Sequence, residues 1–385
     1  MSPLPAAASV LTAASPTATA SDLEELRPLC QGPKADWHAH LRWLSFQLGA
    51  VGLFVACGAG QALAARASVG QNGKLPYDTT AAVTFAEAAK LLFSLCWLAS
   101  TSVGQAWPLP WAWLRESRDL GLVAVLFAIT NQCNFLIVES LGAALFMLLG
   151  NLKIVWTCLF MKLLLGKDFV PLQWTAVAML TFSACIVKMP DILGLESAAV
   201  PTGAAAWGLI LLLASTASSG LASVQNELIF KRESLEKESP PMPFMAKNAV
   251  LYAWGVGLNF ASWHFWGSQP FFAFASNAAA VASIGFLVGL GLACAVILRY
   301  LDNVVRCFGS VAQVLATVAL SQFLPERLHE GTIGPWYTFS MALLATALVL
   351  YQAHASPQLH VYLVAAASGA LLVSLACGHL QRVRG

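Results

Sequence analysis

From Trp43 onward the chain is cut, again and again, into apolar runs close to twenty residues long, separated by short stretches rich in Gly or Pro. A helix needs about 20 residues to cross the ~30 Å hydrocarbon layer of a bilayer. Run length therefore constrains the fold more than any other feature. The runs lie near 43–65, 80–103, 119–138, 141–165, 170–188, 204–230, 247–266, 278–299, 304–323 and 334–353. A further run, 359–377, follows a break at Ser356-Pro357. The separators include Trp107-Pro108-Leu109-Pro110 and Ser239-Pro240-Pro241-Met242-Pro243, which read as loops. In lipid every backbone polar group must be satisfied within the segment, so the runs are expected to be helices. Barrel strands would be about half as long and polar on alternate residues. The expected class is an all-α polytopic membrane protein.

Composition agrees. Only 10% of the 385 residues are charged, against roughly 25% in a soluble domain, and mean hydropathy is +0.69. These values exclude a disordered chain, a disulfide scaffold and a typical soluble enzyme. A net charge of +2 leaves no basic surface for nucleic acid. The nine cysteines are scattered without a CxxC pair, and most read as small hydrophobes within apolar runs. Residues 1–42 open on Ala, Ser, Thr and Pro with no basic residue before Arg27, which reads as a disordered tail rather than a secretory signal. Lys and Arg then sort unequally between alternate connections. Arg66, Lys74, Lys188 and Arg327 fall on one side and thirteen basic residues on the other, which predicts a cytosolic N-terminus. The run at 359–377 fits this pattern only if it does not cross, because crossing carries Arg382 and Arg384 to the non-cytosolic side.

Ionisable groups inside a span are expensive and call for a reason. Glu87 and Lys90 share a helix face in the second run, as a local ion pair or as a gate or cavity wall. Lys153 stands alone, with no acid three or four residues away and about twelve residues of its predicted span on either side. It reads either as a cation facing a cavity or as the partner of an acid on another helix, Glu227 or Glu87. Amides cluster at Asn131, Gln132 and Asn134, and again at Gln225, Asn226 and Glu227, as a polar path or as glue between helices. Arg299, Asp302, Asn303 and Arg306 mark the turn between the eighth and ninth runs. The short run Asp36, His38, His40 has no further ligand nearby, so neither a metal nor a cofactor is expected. No phosphate-binding P-loop, G-x-S-x-G or H-E-x-x-H is present, and an enzyme reading has no constellation to rest on.

Several segments, in order, resemble the nucleotide-sugar transporter family within the drug/metabolite transporter group. They are Phe85 to Leu92, Asn131 to Phe135, Leu152-Lys153-Ile154, Leu165-Gly166-Lys167, Ser219 to Glu227 with Lys231, Lys247-Asn248 with Tyr252, and Arg299-Tyr300-Leu301-Asp302-Asn303 with Arg306. The resemblance runs from about Trp43 to Tyr351. Family members often carry Tyr at the position of Gln225, and usually Lys at those of Arg299 and Arg306.

The resemblance implies ten helices built as two inverted five-helix repeats around a central site, here 43–188 and 204–353; the C-terminal extension 354–385, whose eleventh hydrophobic run either crosses as a helix or lies re-entrant or at the interface, has no place in that plan. It implies an antiporter in the Golgi or endoplasmic-reticulum membrane. Such a protein exchanges a cytosolic pyrimidine nucleotide sugar, UDP-linked first (UDP-galactose) and CMP-linked second, for a lumenal nucleoside monophosphate. The expected site holds phosphate on Lys153 and Arg299, with Asn134, Gln225, Asn226, Glu227 and Asn303 around the substrate and Glu87–Lys90 as a gate or ion pair. Partners beyond substrate and lipid are a second copy of the chain or a glycosyltransferase. The rivals are a carrier of another metabolite, a membrane-embedded enzyme and a glycosyltransferase scaffold.

Overall fold

The structure, a computed structural model, describes residues 37–70, 75–101, 111–189, 202–231, 242–329, 331 and 333–352. The described residues form ten α-helices and no strand: α1 (Trp37–Ala67), α2 (Thr79–Thr101), α3 (Trp111–Leu149), α4 (Lys153–Leu165), α5 (Pro171–Ile186), α6 (Thr202–Lys231), α7 (Phe244–Trp266), α8 (Ala278–Tyr300), α9 (Asn303–Ser321) and α10 (Pro335–Gln352). Seven of the ten predicted runs coincide with a helix to within about three residues at each end. The eleventh run, with Arg382 and Arg384, lies outside the described residues, as does the tail before Trp37.

Two boundaries differ. The tail expected to reach residue 42 is already helical from Trp37. The third run does not end at residue 138. α3 continues for 39 residues to Leu149, and a single 3-10 turn, Gly150–Leu152, links it to α4, which begins at Lys153. Glu139-Ser140 interrupts hydropathy without interrupting the helix, because a helix bonds its own backbone whatever its side chains. Gly150 and Asn151 carry the real break. Lys153 is therefore the first residue of its helix rather than the middle of a span.

The ends of other helices follow local chemistry. Asn277 and Asp302 cap α8 and α9 by accepting from N–H groups of the first turn. Pro171 opens α5. Gly166 closes α4 in a left-handed conformation, φ 62°, that costs glycine nothing.

Five helices, Leu41–Ala67, Thr79–Thr101, Ala206–Lys231, Ala278–Tyr300 and Asn303–Ser321, are long and apolar enough to cross a membrane. Large apolar side chains face outward along the bundle, among them Leu48, Leu92, Ile129, Leu163, Phe182 and Phe323. Outward Leu and Phe in such number suit a lipid solvent rather than water. The largest buried cluster joins α4, α5, α9 and α10 through Cys158, Met161, Leu180, Cys307, Val311, Leu315 and Ala347.

Helix pairing follows a rule. α1 packs on α8 and α9, and α6 packs on α3 and α4; α2 packs on α7, and α5 on α10. The pattern maps onto itself when each helix is exchanged for the one five places along. Contacts between connections obey a second rule. Lys167, after α4, meets Asp302, between α8 and α9, while Asp78, before α2, meets Ser268, after α7. The first pair of connections follows even-numbered helices and the second follows odd-numbered ones, as in a bundle whose helices alternate in direction.

Candidate functional site

Among the described residues, two cavities with polar linings open between the helices. The larger, about 250 Å³, lies between α2, α3, α6, α7, α8 and α9, and its polar lining includes Glu87, Lys90, Asn131, Ser223, Asn226, Tyr252, Asn259 and Arg306. The smaller, about 200 Å³, lies between α3, the 3-10 turn, α4 and α6. It is lined by Thr130, Asn151, Lys153, Ser215, Thr216 and Ser219 with Ile137, Phe146 and Leu212. Broken helices are tolerated at membrane depth where they line such a cavity, and the Gly150–Leu152 turn does so.

Each cavity receives one cation that pairs with no carboxylate among the described residues; Lys90, also in the larger cavity, is paired with Glu87. Lys153 opens α4 directly after the 3-10 turn and lines the smaller cavity. Arg306 stands in the first turn of α9 and faces the larger cavity. Arg306 lies within Coulombic reach of Lys153. Under the five-helix exchange α4 and α9 are counterparts, so the two cations come from equivalent helices. Two like charges held this close repel, and an anion between them relieves that cost.

The expectation that Lys153 pairs with an acid of a neighbouring helix is not met. Glu227 binds Lys231 through Oε1 at 2.6 Å and accepts the Asn303 N–H on Oε2 at 3.0 Å. Glu87 binds Lys90 at 2.6 Å. Among the described residues no carboxylate pairs with Lys153. Its side chain is exposed although its backbone lies among packed helices, as a cavity wall requires.

The other predicted residues divide. Asn226, Glu87 and Lys90 line the larger cavity. Asn303 and Glu227 form the frame behind it. The Asn303 Oδ1 accepts from Ser223 Oγ at 2.8 Å and from Arg306 Nε at 2.6 Å, which fixes the guanidinium and leaves its terminal nitrogens toward the cavity. The Lys231 ammonium also donates to the Leu301 carbonyl. Arg299 lines neither cavity, and its Nη1 donates to the Phe230 carbonyl at 2.5 Å. Gln225 is half-buried on α6 and also lines neither. Asn134 lies on α3, and its side chain is outside the described residues, as is that of Gln132. Arg306, Tyr252, Asn259, Asn131 and Ser223 complete the larger cavity and had not been selected as site residues. Arg306 was visible as a charge at a span boundary; Tyr252 and Ser223 had no signal beyond membership of a motif.

At the end of the bundle nearest Arg306 a further ion pair joins Lys167 to Asp302 at 2.6 Å, with Lys167 also donating to the Tyr351 hydroxyl at 3.0 Å. Burial pushes the Asp302 carboxyl up. The Lys167 ammonium, its hydrogen bond and the Val305 N–H outweigh burial and hold the group below the usual carboxylate value.

The arrangement offers paired cations between two polar chambers, suited to an elongated ligand with anionic charge near its middle. Among the described residues no cluster of metal-ligating side chains occurs.

Comparison with known proteins agrees with this geometry. The worm Caenorhabditis elegans UDP-galactose translocator 1 is 26% identical over 245 residues, covering 62% of this chain and 66% of the worm protein. The zebrafish Danio rerio protein named probable UDP-sugar transporter protein SLC35A4 is 28% identical over 291 residues, 73% of this chain and 85% of its own. The mouse UDP-galactose translocator is 27% identical over 251 residues, 61% of this chain and 58% of its own. Its relatives bear the names of transporters and not of enzymes. The family described as nucleotide-sugar transporter matches residues 44–352, nearly the whole helical bundle, and the chain belongs to that family.

Proposed function

We propose that the protein is an antiporter exchanging a cytosolic pyrimidine nucleotide sugar, UDP-linked, for a lumenal nucleoside monophosphate across the Golgi or endoplasmic-reticulum membrane, with its N-terminus cytosolic. The observation that carries the reading is the cation pair, Lys153 from α4 and Arg306 from α9, set between two polar cavities. UDP is favoured by the names of the relatives, and the orientation by the unequal distribution of Lys and Arg.

Charge explains the exchange. A UDP-sugar carries about −2 on its diphosphate, and a nucleoside monophosphate about −1.5 to −2 near neutral pH, by analogy with other phosphate monoesters. Two cations neutralise either ligand. The loaded site is near neutral and crosses between facing states without an uncompensated charge, whereas the empty site keeps two positive charges and resists the change. Arg306 has the planar fork that grips two phosphate oxygens, and Asn303 already fixes its Nε.

Purified protein in liposomes tests the reading: labelled UDP-sugar should enter only against trapped uridine monophosphate and emerge unchanged. Uptake into empty liposomes at the same rate overturns antiport, and release of free sugar overturns transport alone. Lys153→Gln and Arg306→Gln should each weaken uridine monophosphate binding by about tenfold or more, the scale of a lost charge-assisted hydrogen bond. Arg299→Gln should leave binding nearly unchanged. Equal losses for Arg299 and Arg306 would return phosphate to the pair first expected from sequence.

A further inference from the structure

A third cavity, about 170 Å³, lies between α1, α9 and α10. It is bordered by Leu48 and Val51 of α1, Gly309 and Ala312 of α9, and Leu344 and Leu348 of α10, and Gln47 is its one polar lining residue. Leu48 is 60% exposed, so the groove opens outward. Its chemistry excludes a charged or sugar-bearing ligand and suits an apolar helix or a lipid tail. Between helices in a bilayer there is little hydrophobic driving force, and close packing decides what fills such a groove. Gly309 and Ala312 give it a low floor on which another backbone can come near.

The chain itself supplies an occupant. Lys167 donates to both Asp302 and Tyr351, which places the last turn of α10 beside the connection from α8 to α9. The described part of the chain therefore ends, at Gln352, near the mouth of the groove. Residues 353–358 then lead into the apolar run 359–377. Six residues reach at most about 20 Å, and packed helices lie about 8–10 Å apart, so the run is held to the flanks of α10. A tether this short gives its segment an effective concentration on the order of millimolar, which a second copy of the chain does not match.

The depths agree as well. At about 1.5 Å per residue, Gly309 and Ala312 stand about 9 and 14 Å into α9, counted from Asn303. The run holds six small residues in succession, Ala365-Ala366-Ala367-Ser368-Gly369-Ala370. Counted from Leu359 at the same rise, they occupy about 9 to 17 Å. Whichever face a helix here turns inward, it meets the floor of the groove with small side chains.

We infer that the first half of the run 359–377 returns antiparallel to α10 and packs in the groove between α1 and α10, its small stretch 365–370 against Gly309 and Ala312. The groove reaches about 14 Å along α9, half of the ~30 Å hydrocarbon layer, so it takes the first half alone. The second half decides on which side Arg382 and Arg384 emerge. The docked segment backs the helix that carries Arg306, and the inference does not depend on the transport reading.

The test uses the full-length protein in liposomes. Leu348→Cys is combined in turn with a single substitution to Cys at each position from 361 to 367, and the protein is oxidised. Mass spectrometry identifies the joined peptides, and a mixture of light and heavy chains separates bonds within one chain from bonds between two. Leu348 lies one turn from the end of α10 and Leu363 one turn into the run, so bonds within one chain should be strongest around Leu363. Starting from Leu344→Cys, one turn deeper, the maximum should move about four residues further, to Ala367. A maximum that moves toward Leu359 instead overturns the antiparallel docking. Bonds only between chains put a second copy in the groove and overturn the proposal, as does the absence of bonds in every pair. The unsubstituted protein gives a second reading. A phosphatidylcholine carrying a diazirine in its tail should label Leu348 several-fold less than Leu92 on the outer face of α2. Equal labelling makes a lipid tail the occupant and overturns the proposal.

Discussion

Where α4, α6 and α8 finish, neighbouring elements are joined by charge: Lys167 to Asp302, Lys231, itself held by Glu227 of the same helix, to the Leu301 carbonyl, and Glu227 to the Asn303 N–H. At the opposite end the joints include neutral ones, Ser68 to Tyr77 at 2.9 Å and the Asn277 amide to the Ser68 carbonyl at 3.0 Å, beside a carboxylate, Asp78, that accepts the Ser268 N–H at 3.2 Å. Hydrogen bonds between charged groups are roughly twice as strong as neutral ones. The contrast teaches that one end of this bundle is held by a few strong, localised contacts that can be released together. The joints named at the other end are weaker one by one. In the orientation proposed from the distribution of basic residues, the ionic end faces the cytosol.

The contrast can be broken most directly at Asp302. Asp302→Asn keeps an acceptor for the Val305 N–H and so preserves the helix cap, but it removes the charge facing Lys167. The expected loss is roughly 1–3 kcal/mol, read as a lower melting temperature, with faster labelling of the cytosolic end. The same contribution has a pH signature. Asp302 is held below its unfolded value, so its stabilisation is complete above the ordinary aspartate range, near ~4, and is lost as pH falls through the depressed value. The melting-temperature gap between wild type and Asp302→Asn should close on acidification and hold steady through neutrality. A gap independent of pH would show that the pair is not what separates them.

Gly220→Leu comes next. A side chain there meets Trp156 Cβ at 3.0 Å and the Thr157 backbone nitrogen at 3.1 Å, where α6 crosses α4. Both helices lead into the ionic end. Overpacking should cost roughly 1–3 kcal/mol and slow exchange in liposomes while the protein still inserts. Unchanged turnover would mean the crossing is looser than this spacing implies. The smallest effect is expected at the neutral end. Asp78→Asn keeps an acceptor for the Thr80 nitrogen and loses the one for the Ser268 nitrogen, an exposed contact that water can replace, so stability should fall by less than about 1 kcal/mol, read as a small shift in melting temperature. A loss as large as that of Asp302→Asn would erase the distinction between the two ends.

Much of this was legible in the sequence where lipid sets the rule. The run at 278–299 became α8, Ala278–Tyr300, because an apolar stretch of membrane length has one structure open to it. The boundary between α3 and α4 was misread because hydropathy registers polar side chains, whereas an α-helix ends where its backbone hydrogen-bonding changes; Glu139 and Ser140 are polar but helical. Lys153 could be found as a cation without a local acid. The choice between Arg299 and Arg306 could not be made, because the turn at Leu301-Asp302 stands between them and no single helical period relates their directions. Asn303 and Glu227 looked like ligands and serve as the frame that aims Arg306, a distinction that lives in the contacts of α6 with α9. Tyr252 and Asn226 come together only where α6 and α7 border the larger cavity, which no pattern within either helix announces.

The five-place exchange of helices gives the glycines a use as experimental handles. The α6–α4 crossing has Gly220 at its closest approach, and its counterpart, the α1–α9 crossing, has Gly58, where a Cβ would run into the side chain of Gln313. A carrier whose two halves trade shapes during its cycle compresses one crossing while it relaxes the other. Bulk introduced at Gly58 and bulk introduced at Gly220 then act as wedges in opposite directions. One holds the carrier open toward the donor compartment and the other toward the recipient, so a matched pair of variants would supply both halves of the cycle as separable, purifiable states.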